Sequence, residues 1–307
     1  MKALRFHSYG GPEVLQIDDA PIPEPGPGEV LVRVSGSGIN PIDWKIREGK
    51  AKERFPVTFP STVGFEFSGT IEKLGNDVTG FEVGDEIYGI EHRGTCADYL
   101  VTKLGGFALK PVSMDLPDAG GIPLAAMTAW QALFDHGQLK SGQRVLIHAA
   151  SGGVGSFAVQ MAAWAGATVF GTTSSKHLDI VQELGATRAI DYGSERFEEI
   201  ATDMDLVLDL VGGETANRSL ASLKPGGILV STVGSGLKEE AEKQGKRTAS
   251  FMMEADPEQL TKIAGLIQDL KVRPVIDAVV PLIRAVEAQK EVQQGHTIGK
   301  IVVDVRR

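Results

Sequence analysis

Cysteine is nearly absent: Cys96 stands alone in 307 residues. One thiol excludes an intrachain disulfide framework and any zinc site built from several thiolates, and it fits a reducing compartment. Positive charge is also short, with 31 Lys and Arg against 40 Asp and Glu, a net charge of −9. That balance weighs against a nucleic-acid partner, which leaves a basic footprint on the proteins that bind it. The basic run 243–247 reads as a solvated loop or helix end. No apolar run reaches bilayer length, so no membrane partner is expected. The start, "MKALRFHSYGGPEVL", has no apolar core of signal-peptide length, and a cytoplasmic location is expected. His7, His92, His136, His148, His177 and His296 show no ligand spacing, and Cys96 reads as a small buried residue. Neither an internal repeat nor a low-complexity segment is present.

What the chain does have is glycine, 37 of them, in an ordinary globular composition. Its texture comes in two kinds. The first third alternates short β-like segments, "KALRFHSY", "EVLVRVSGSGI", "EFSGTIEKLG" and "DEIYGI", with Pro and Gly clusters such as "PIPEPGPGE", the pattern of a compact, turn-rich β domain. From about residue 115, strands alternate with amphipathic helices. Strands are predicted over 145–150, 168–172, 188–192, 206–211 and 227–233, and helices over 157–165, 176–184 and 214–223. That alternation predicts parallel βαβ units with helices on both faces of a sheet. The tail predicts a helix over 257–270, a strand over 275–280, a helix ending at Gln294 and a last strand "KIVVDV".

Residues 145–166, "VLIHAASGGVGSFAVQMAAWAG", carry the densest chemical signal. A strand runs into Ser151, Gly152, Gly153, Val154 and Gly155, and then into an apolar helix. Ala150, Gly153 and Gly155 match A-x-x-G-x-G, close to the dinucleotide fingerprint, with Gly152 extra. Such a turn lets the backbone approach a pyrophosphate at a helix N-terminus. Where NAD-specific sites carry an acid on the next strand, this chain reads "VFGTTSSKH". Thr173, Ser174, Ser175 and Lys176 offer hydroxyls and a cation to a 2′-phosphate, and Tyr192 would flank the adenine ribose. NADP(H) is therefore the expected cofactor. In the alternative reading, Ser174 and Ser175 only cap a helix.

"AAMTAWQAL", "AASGGVG", "GINPIDWKIREG" and "GFEFSGTIEKLG" together resemble the medium-chain dehydrogenase/reductase superfamily. Within it the chain is similar to the zinc-free quinone oxidoreductase branch, with the zeta-crystallin-like proteins and plant enone and alkenal reductases. The resemblance implies an α/β protein: a GroES-like β-rich catalytic domain over 1–114, a doubly wound Rossmann domain binding NADP(H) over 115–255, and a C-terminal segment over 256–307 that completes the catalytic domain. It also implies a homodimer. Zinc-dependent relatives carry Cys where this chain has Asn40, and Gly-His-Glu where it has Gly64, Phe65 and Glu66, so no metal is expected. Without a Lewis acid to stabilise an alkoxide, the easier hydride acceptor is a conjugated one, a quinone, enone or alkenal. The same matching motif nominates Asn40, Trp44 and Lys45 around the reacting centre. Asp43 reads equally as a cap or as a direct participant. Thr128 in "MTAW", Gly234 and Phe251 are nominated for the cofactor, while Lys300 reads as a solvated lysine at a strand entry, with a reach into the pocket as the other reading. The alternative from another class is a non-catalytic NADPH-binding structural or regulatory protein.

Overall fold

The computed structural model describes every residue except His296. The chain forms two compact units. Met1–Leu124, Ala255–Gln268 and Ile276–Arg307 make one, and Ala125–Glu254 with Asp269–Val275 make the other.

The first unit opens with β1 (Lys2–Phe6) and β2 (Leu15–Asp19), an antiparallel pair. The Pro and Gly cluster then turns the chain into β3 (Glu29–Gly38), most of whose residues are buried. Helix α1 (Pro41–Arg47) follows at once. It starts there because Asn40 is extended and its N–H donates to Asp43 Oδ2 at 2.7 Å, while Pro41 at the first position has no N–H to satisfy. Strands β4 (Ser61–Thr62), β5 (Glu66–Leu74), β6 (Glu86–Ile90), β7 (Tyr99–Lys103) and β8 (Phe107–Leu109) come next. β3 is the spine, antiparallel to both β5 and β7. Val30, Val32, Phe67, Ile71, Ile87 and Phe107 fill the core beneath it. The chain leaves through α2 (Leu116–Ala119) and α3 (Pro123–Trp130).

The second unit is a run of βα steps: β9 (Arg144–Ile147), α4 (Gly153–Trp164), β10 (Thr168–Thr173), α5 (Leu178–Glu183), β11 (Arg188–Asp191), α6 (Phe197–Ile200), β12 (Met204–Asp209), α7 (Gly213–Ser222), β13 (Leu223–Ser231), α8 (Lys238–Lys243) and β14 (Arg247–Ser250). All six strands are parallel, in the order β11-β10-β9-β12-β13-β14, a doubly wound Rossmann sheet whose order reverses between β9 and β12. Its central strands are apolar on both faces, as helices on both sides require. Two details differ from the sequence reading. The first strand stops at Ile147 because Ala149 takes a left-handed φ of 49°, and the helix begins at Gly153 instead of 157. The basic run is only partly solvated, since Lys246 donates to the Leu220 carbonyl and Arg247 to that of Gly226, and the edge strand β14 grows out of it.

The tail supplies α9 (Pro257–Gln268), β15 (Ile276–Pro281), α10 (Ala285–Gln294) and β16 (Lys300–Asp304). β16 pairs antiparallel with β3, Val302 opposite Gly38, so the first unit's large sheet runs β15-β16-β3-β5-β6-β8, with β7 also on β3. Among the described residues no helix is long and apolar enough to cross a membrane.

Candidate functional site

Three distant segments of the first unit bring Asn40, Glu66 and Lys300 together, each at most 4% exposed. Lys300 Nζ lies 2.7 Å from Glu66 Oε1 and donates to Asn40 Oδ1 at 2.5 Å and to the Ile39 carbonyl at 2.9 Å. Those contacts use all three ammonium hydrogens. Glu66 Oε1 also accepts Asn40 Nδ2 at 2.8 Å, and Oε2 accepts the Leu124 N–H at 2.8 Å. The second Asn40 amide hydrogen points to the Gly38 carbonyl at 3.3 Å. Gly38 has to be glycine, since a Cβ there would fall 2.3 Å from Glu66 Oε1. The cluster is closed: both charges are paired and every donor is spent, as burial of charge demands. Asn40 keeps one spare lone pair on Oδ1, which can accept from a hydroxyl, and has no N–H left for a carbonyl.

Of the two sequence readings of Lys300, the solvated one is corrected: the side chain is buried. Pairing of β16 with β3 carries it inward, and the Glu66 carboxylate compensates its charge. Asp43, beside the cluster, is also 4% exposed. Among the described residues its Oδ1 has no hydrogen-bond partner. Burial pushes its carboxyl up to about 7, against the pull of the Asn40 N–H and Lys300.

Trp44 and Lys45 sit half-buried on the same helix. The Lys45 ammonium is 5.6 Å and that of Lys50 5.1 Å from the Trp44 ring centre, while Trp44 Nε1 is buried without a partner among the described residues. The donor set does not fit a metal. Asn40 and Phe65 bring no thiolate or imidazole, the Glu66 oxygens are taken, and Cys96 is buried with its thiol pushed up by that burial. Among the described residues no group of three His, Cys, Asp or Glu is placed to hold an ion; His296 lies outside them.

In the second unit the glycine turn fits a dinucleotide. A Cβ on Gly155 would fall 2.2 Å from the Ala149 carbonyl, so only glycine lets α4 start this close to the turn. Gly152 is the extended N-cap, and no acid stands in the first turn. The N–H groups of Gly153, Val154 and Gly155 lie in the first turn, before any intrahelical acceptor, at the positive end of the helix dipole, the chemistry of a cradle for pyrophosphate. Ser151 accepts a hydrogen bond from Thr173 Oγ1 at 2.8 Å, and the buried Thr173 thereby ties the end of β10 to the turn.

Beyond Thr173, the Ser174 hydroxyl lies 3.3 Å from His177 Nδ1 and makes no capping bond. Ser175 and Lys176 are exposed, and Tyr192 is 65% exposed with its N–H donating to the Thr173 carbonyl at 3.1 Å. Gly234, with φ 78°, follows β13. Phe251 follows β14 and packs on the His136 ring at 4.4 Å. The turn, 174–176, Tyr192, Gly234 and Phe251 thus all follow the carboxyl ends of parallel strands, where open α/β sheets bind ligands. Thr128 is buried in α3.

Sequence reasoning passed over Asp191. It ends β11 opposite Thr173, and its carboxylate is held below the usual range by the Ser194 hydroxyl and by the N–H groups of Gly193 and Ser175. The signal is an acid one position before Tyr192, at the end of β11, one strand beyond the 2′-phosphate segment.

Two family models match the chain: "Alcohol dehydrogenase GroES-like domain" over residues 26–114 and "Zinc-binding dehydrogenase" over 184–303. The 2-methylene-furan-3-one reductase of Solanum lycopersicum is 31% identical over 99% of this chain and 79% of its own length. The NADPH-dependent alkenal/one oxidoreductase of Arabidopsis thaliana shows the same identity and coverage. Among solved structures, the quinone oxidoreductase from Coxiella burnetii superposes with a TM-score of 0.93 at 35% identity, covering 100% of this chain and 99% of that one.

Proposed function

Because the chain belongs to the medium-chain dehydrogenase/reductase superfamily, we propose that it is an NADPH-dependent, zinc-independent oxidoreductase that passes hydride to quinones or α,β-unsaturated carbonyl compounds. The observation that carries this reading is the closed Asn40, Glu66 and Lys300 cluster, which stands where a metal's donor set would be. With no Lewis acid to hold an alkoxide, the acceptor must spread negative charge itself, as an enolate or hydroquinone anion does.

When bound, NADPH supplies the hydride. The first-turn N–H groups of α4 would hold its pyrophosphate, and Ser174, Ser175 and Lys176, with Tyr192, would receive the 2′-phosphate. In the first unit, Asn40 Oδ1 accepts from a hydroxyl. The Lys45 ammonium is the donor offered to the developing oxyanion, with the half-buried Trp44 ring as a wall beside it. A homodimer and a cytoplasmic location belong to the same reading, and sedimentation velocity checks the first of these.

The deciding measurement is the initial rate of NADPH oxidation by chelator-treated protein across quinones, 2-alkenals and cyclic enones, with NADH in parallel. Turnover selective for NADPH and indifferent to chelator is expected. Tight NADPH binding without turnover of any acceptor would instead leave a non-catalytic cofactor-binding protein, and chelator-sensitive oxidation of simple alcohols would overturn the metal-free reading.

A further inference from the structure

Helix α3 does not stop at Trp130 but continues for one π-helical turn, Gln131–His136, with the Gly137 N–H donating to the Ala132 carbonyl at 3.0 Å. Gly137 allows the turn to close, because a Cβ there would fall 2.6 Å from the Ala132 carbonyl oxygen and 2.8 Å from that of Leu133. In an α-helix, positions 131 and 136 lie about 140° apart around the axis. A π turn, whose bonds join residues five apart, brings both to one side. Both side chains then serve a single irregular segment, the residues that follow β14. The Gln131 amide, 5% exposed, donates from Nε2 to the Glu254 carbonyl at 2.7 Å, and its Oε1 accepts the Glu254 N–H at 3.1 Å. It does for that backbone what a neighbouring strand would do. At the other end of the segment, the Phe251 ring lies on the His136 ring, 4.4 Å between centres and 31° from parallel.

The sheet order says what this segment is for. In β11-β10-β9-β12-β13-β14, the 2′-phosphate corner follows β10 and the pyrophosphate cradle follows β9. A dinucleotide anchored at those two points directs its nicotinamide half over the ends of β12 and β13, toward the segment after β14. We propose that Gln131 and His136 are positioning residues for that half: they hold Phe251 and the backbone of 252–254 as a preformed wall for the nicotinamide. The proposal rests on the NADPH reading and deepens it. A wall that is not preformed has to be ordered at each binding event, which weakens the affinity of a ligand that reaches it and leaves untouched one that does not.

The test compares NADPH with 2′,5′-ADP, which carries the adenosine and the 2′-phosphate but no nicotinamide. Calorimetric titration of the full chain is expected to show Gln131→Leu raising the Kd for NADPH about fivefold or more, while that for 2′,5′-ADP stays within about twofold of wild type. His136→Ala should act in the same direction by about threefold, and His136→Phe, which keeps a ring on Phe251, should restore the wild-type value. His136 is exposed, so this pair keeps the test open should Gln131→Leu fail to fold. Gln160 on α4 is the control for a purely structural role. It is 6% exposed and makes the same two bonds with another backbone, to the Arg273 carbonyl at 2.9 Å and from the Arg273 N–H at 2.8 Å. Gln160→Leu should lower Tm as Gln131→Leu does, yet leave the ratio of the two affinities unchanged. Equal losses of both ligands in Gln131→Leu, a ratio that moves alike in the two glutamine variants, or no difference between His136→Ala and His136→Phe would overturn the proposal. If the wild type binds neither ligand, the NADPH reading fails with it; wild-type binding of both, with a ratio that no variant moves, leaves that reading in place and removes only the positioning role.

Discussion

With Lys300 truncated to methionine, Glu66 would keep a buried negative charge and lose its counter-ion. Breaking a buried pair from one side costs about 3–5 kcal/mol, so Lys300→Met should lower the unfolding free energy by that order, while Lys300→Arg, which keeps the charge, should retain more than half of it. Chemical unfolding measures both, and equal losses would show that charge is not what Lys300 contributes. Cofactor choice also turns on single residues. Lys176 is the cation among the hydroxyls at the end of β10, and Asp191 is a like charge to any phosphate placed there. Lys176→Ala should raise the Kd for NADPH about tenfold while changing NADH by less than about twofold. Asp191→Asn should act in the opposite sense, tightening NADPH by about twofold to fivefold. Equal effects on the two cofactors, read by fluorescence titration, would remove the 2′-phosphate from this corner.

At the scale of elements, the β9–α4 turn is set by a single missing Cβ. Gly155→Ala must push the Ala149 carbonyl aside, and overpacking of this kind costs about 1–3 kcal/mol. Because the same shift moves the first-turn N–H groups, NADPH affinity should fall about tenfold or more together with Tm. Gly265 in α9 is the control, since a Cβ there meets nothing within 4 Å. Gly265→Ala should stabilise by about 0.5–1 kcal/mol and leave NADPH binding alone. Thermal melts with and without cofactor separate the two glycines.

These elements also show what was legible in the sequence. The parallel strands announced themselves because each is an apolar run followed by an amphipathic helix, a pattern local to the chain. β14 did not, because "RTAS" is short, polar and at the sheet's edge. The Asn40, Glu66 and Lys300 cluster was illegible for a different reason. Its members belong to three segments joined only by the pairing of β5 and β16 with β3, and a lysine at a strand's start gives no sign that a carboxylate waits across the sheet. The open valence of Asp43 was hidden likewise, being a property of what surrounds the side chain rather than of its neighbours in sequence.

For the molecule as a whole, two buried titratable groups, one in each unit, set opposing pH responses. In the second unit, Ser219 donates to the Thr215 carbonyl at 2.6 Å, so its oxygen accepts from His148 Nε2–H at 2.8 Å, while Thr172 donates to Nδ1 at 3.0 Å. That arrangement needs a neutral ring, and burial pulls His148 down from 6.5 to about 4. As pH falls through this window the unfolded chain takes a proton the folded one refuses, and about 3 kcal/mol of stability is lost, at about 1.36 kcal/mol per pH unit. Asp43 has the reverse sign. Burial raises its carboxyl from 3.8 to about 7, helped by the Glu66 charge and opposed by the Asn40 N–H, Lys300 and Arg47, so its contribution is complete below 3.8 and is lost as pH rises through 7. Between about pH 4.5 and 6.5 the two slopes oppose each other. Relative to wild type, Asp43→Asn should therefore lose stability toward acid, and His148→Gln should lose it toward neutrality. Urea unfolding of the three proteins at pH 4.5, 5.5 and 6.5 reads both differences directly. Parallel profiles for wild type and either variant would mean that the altered group does not titrate across this range in the folded protein, and that its environment is wetter than the geometry around it indicates.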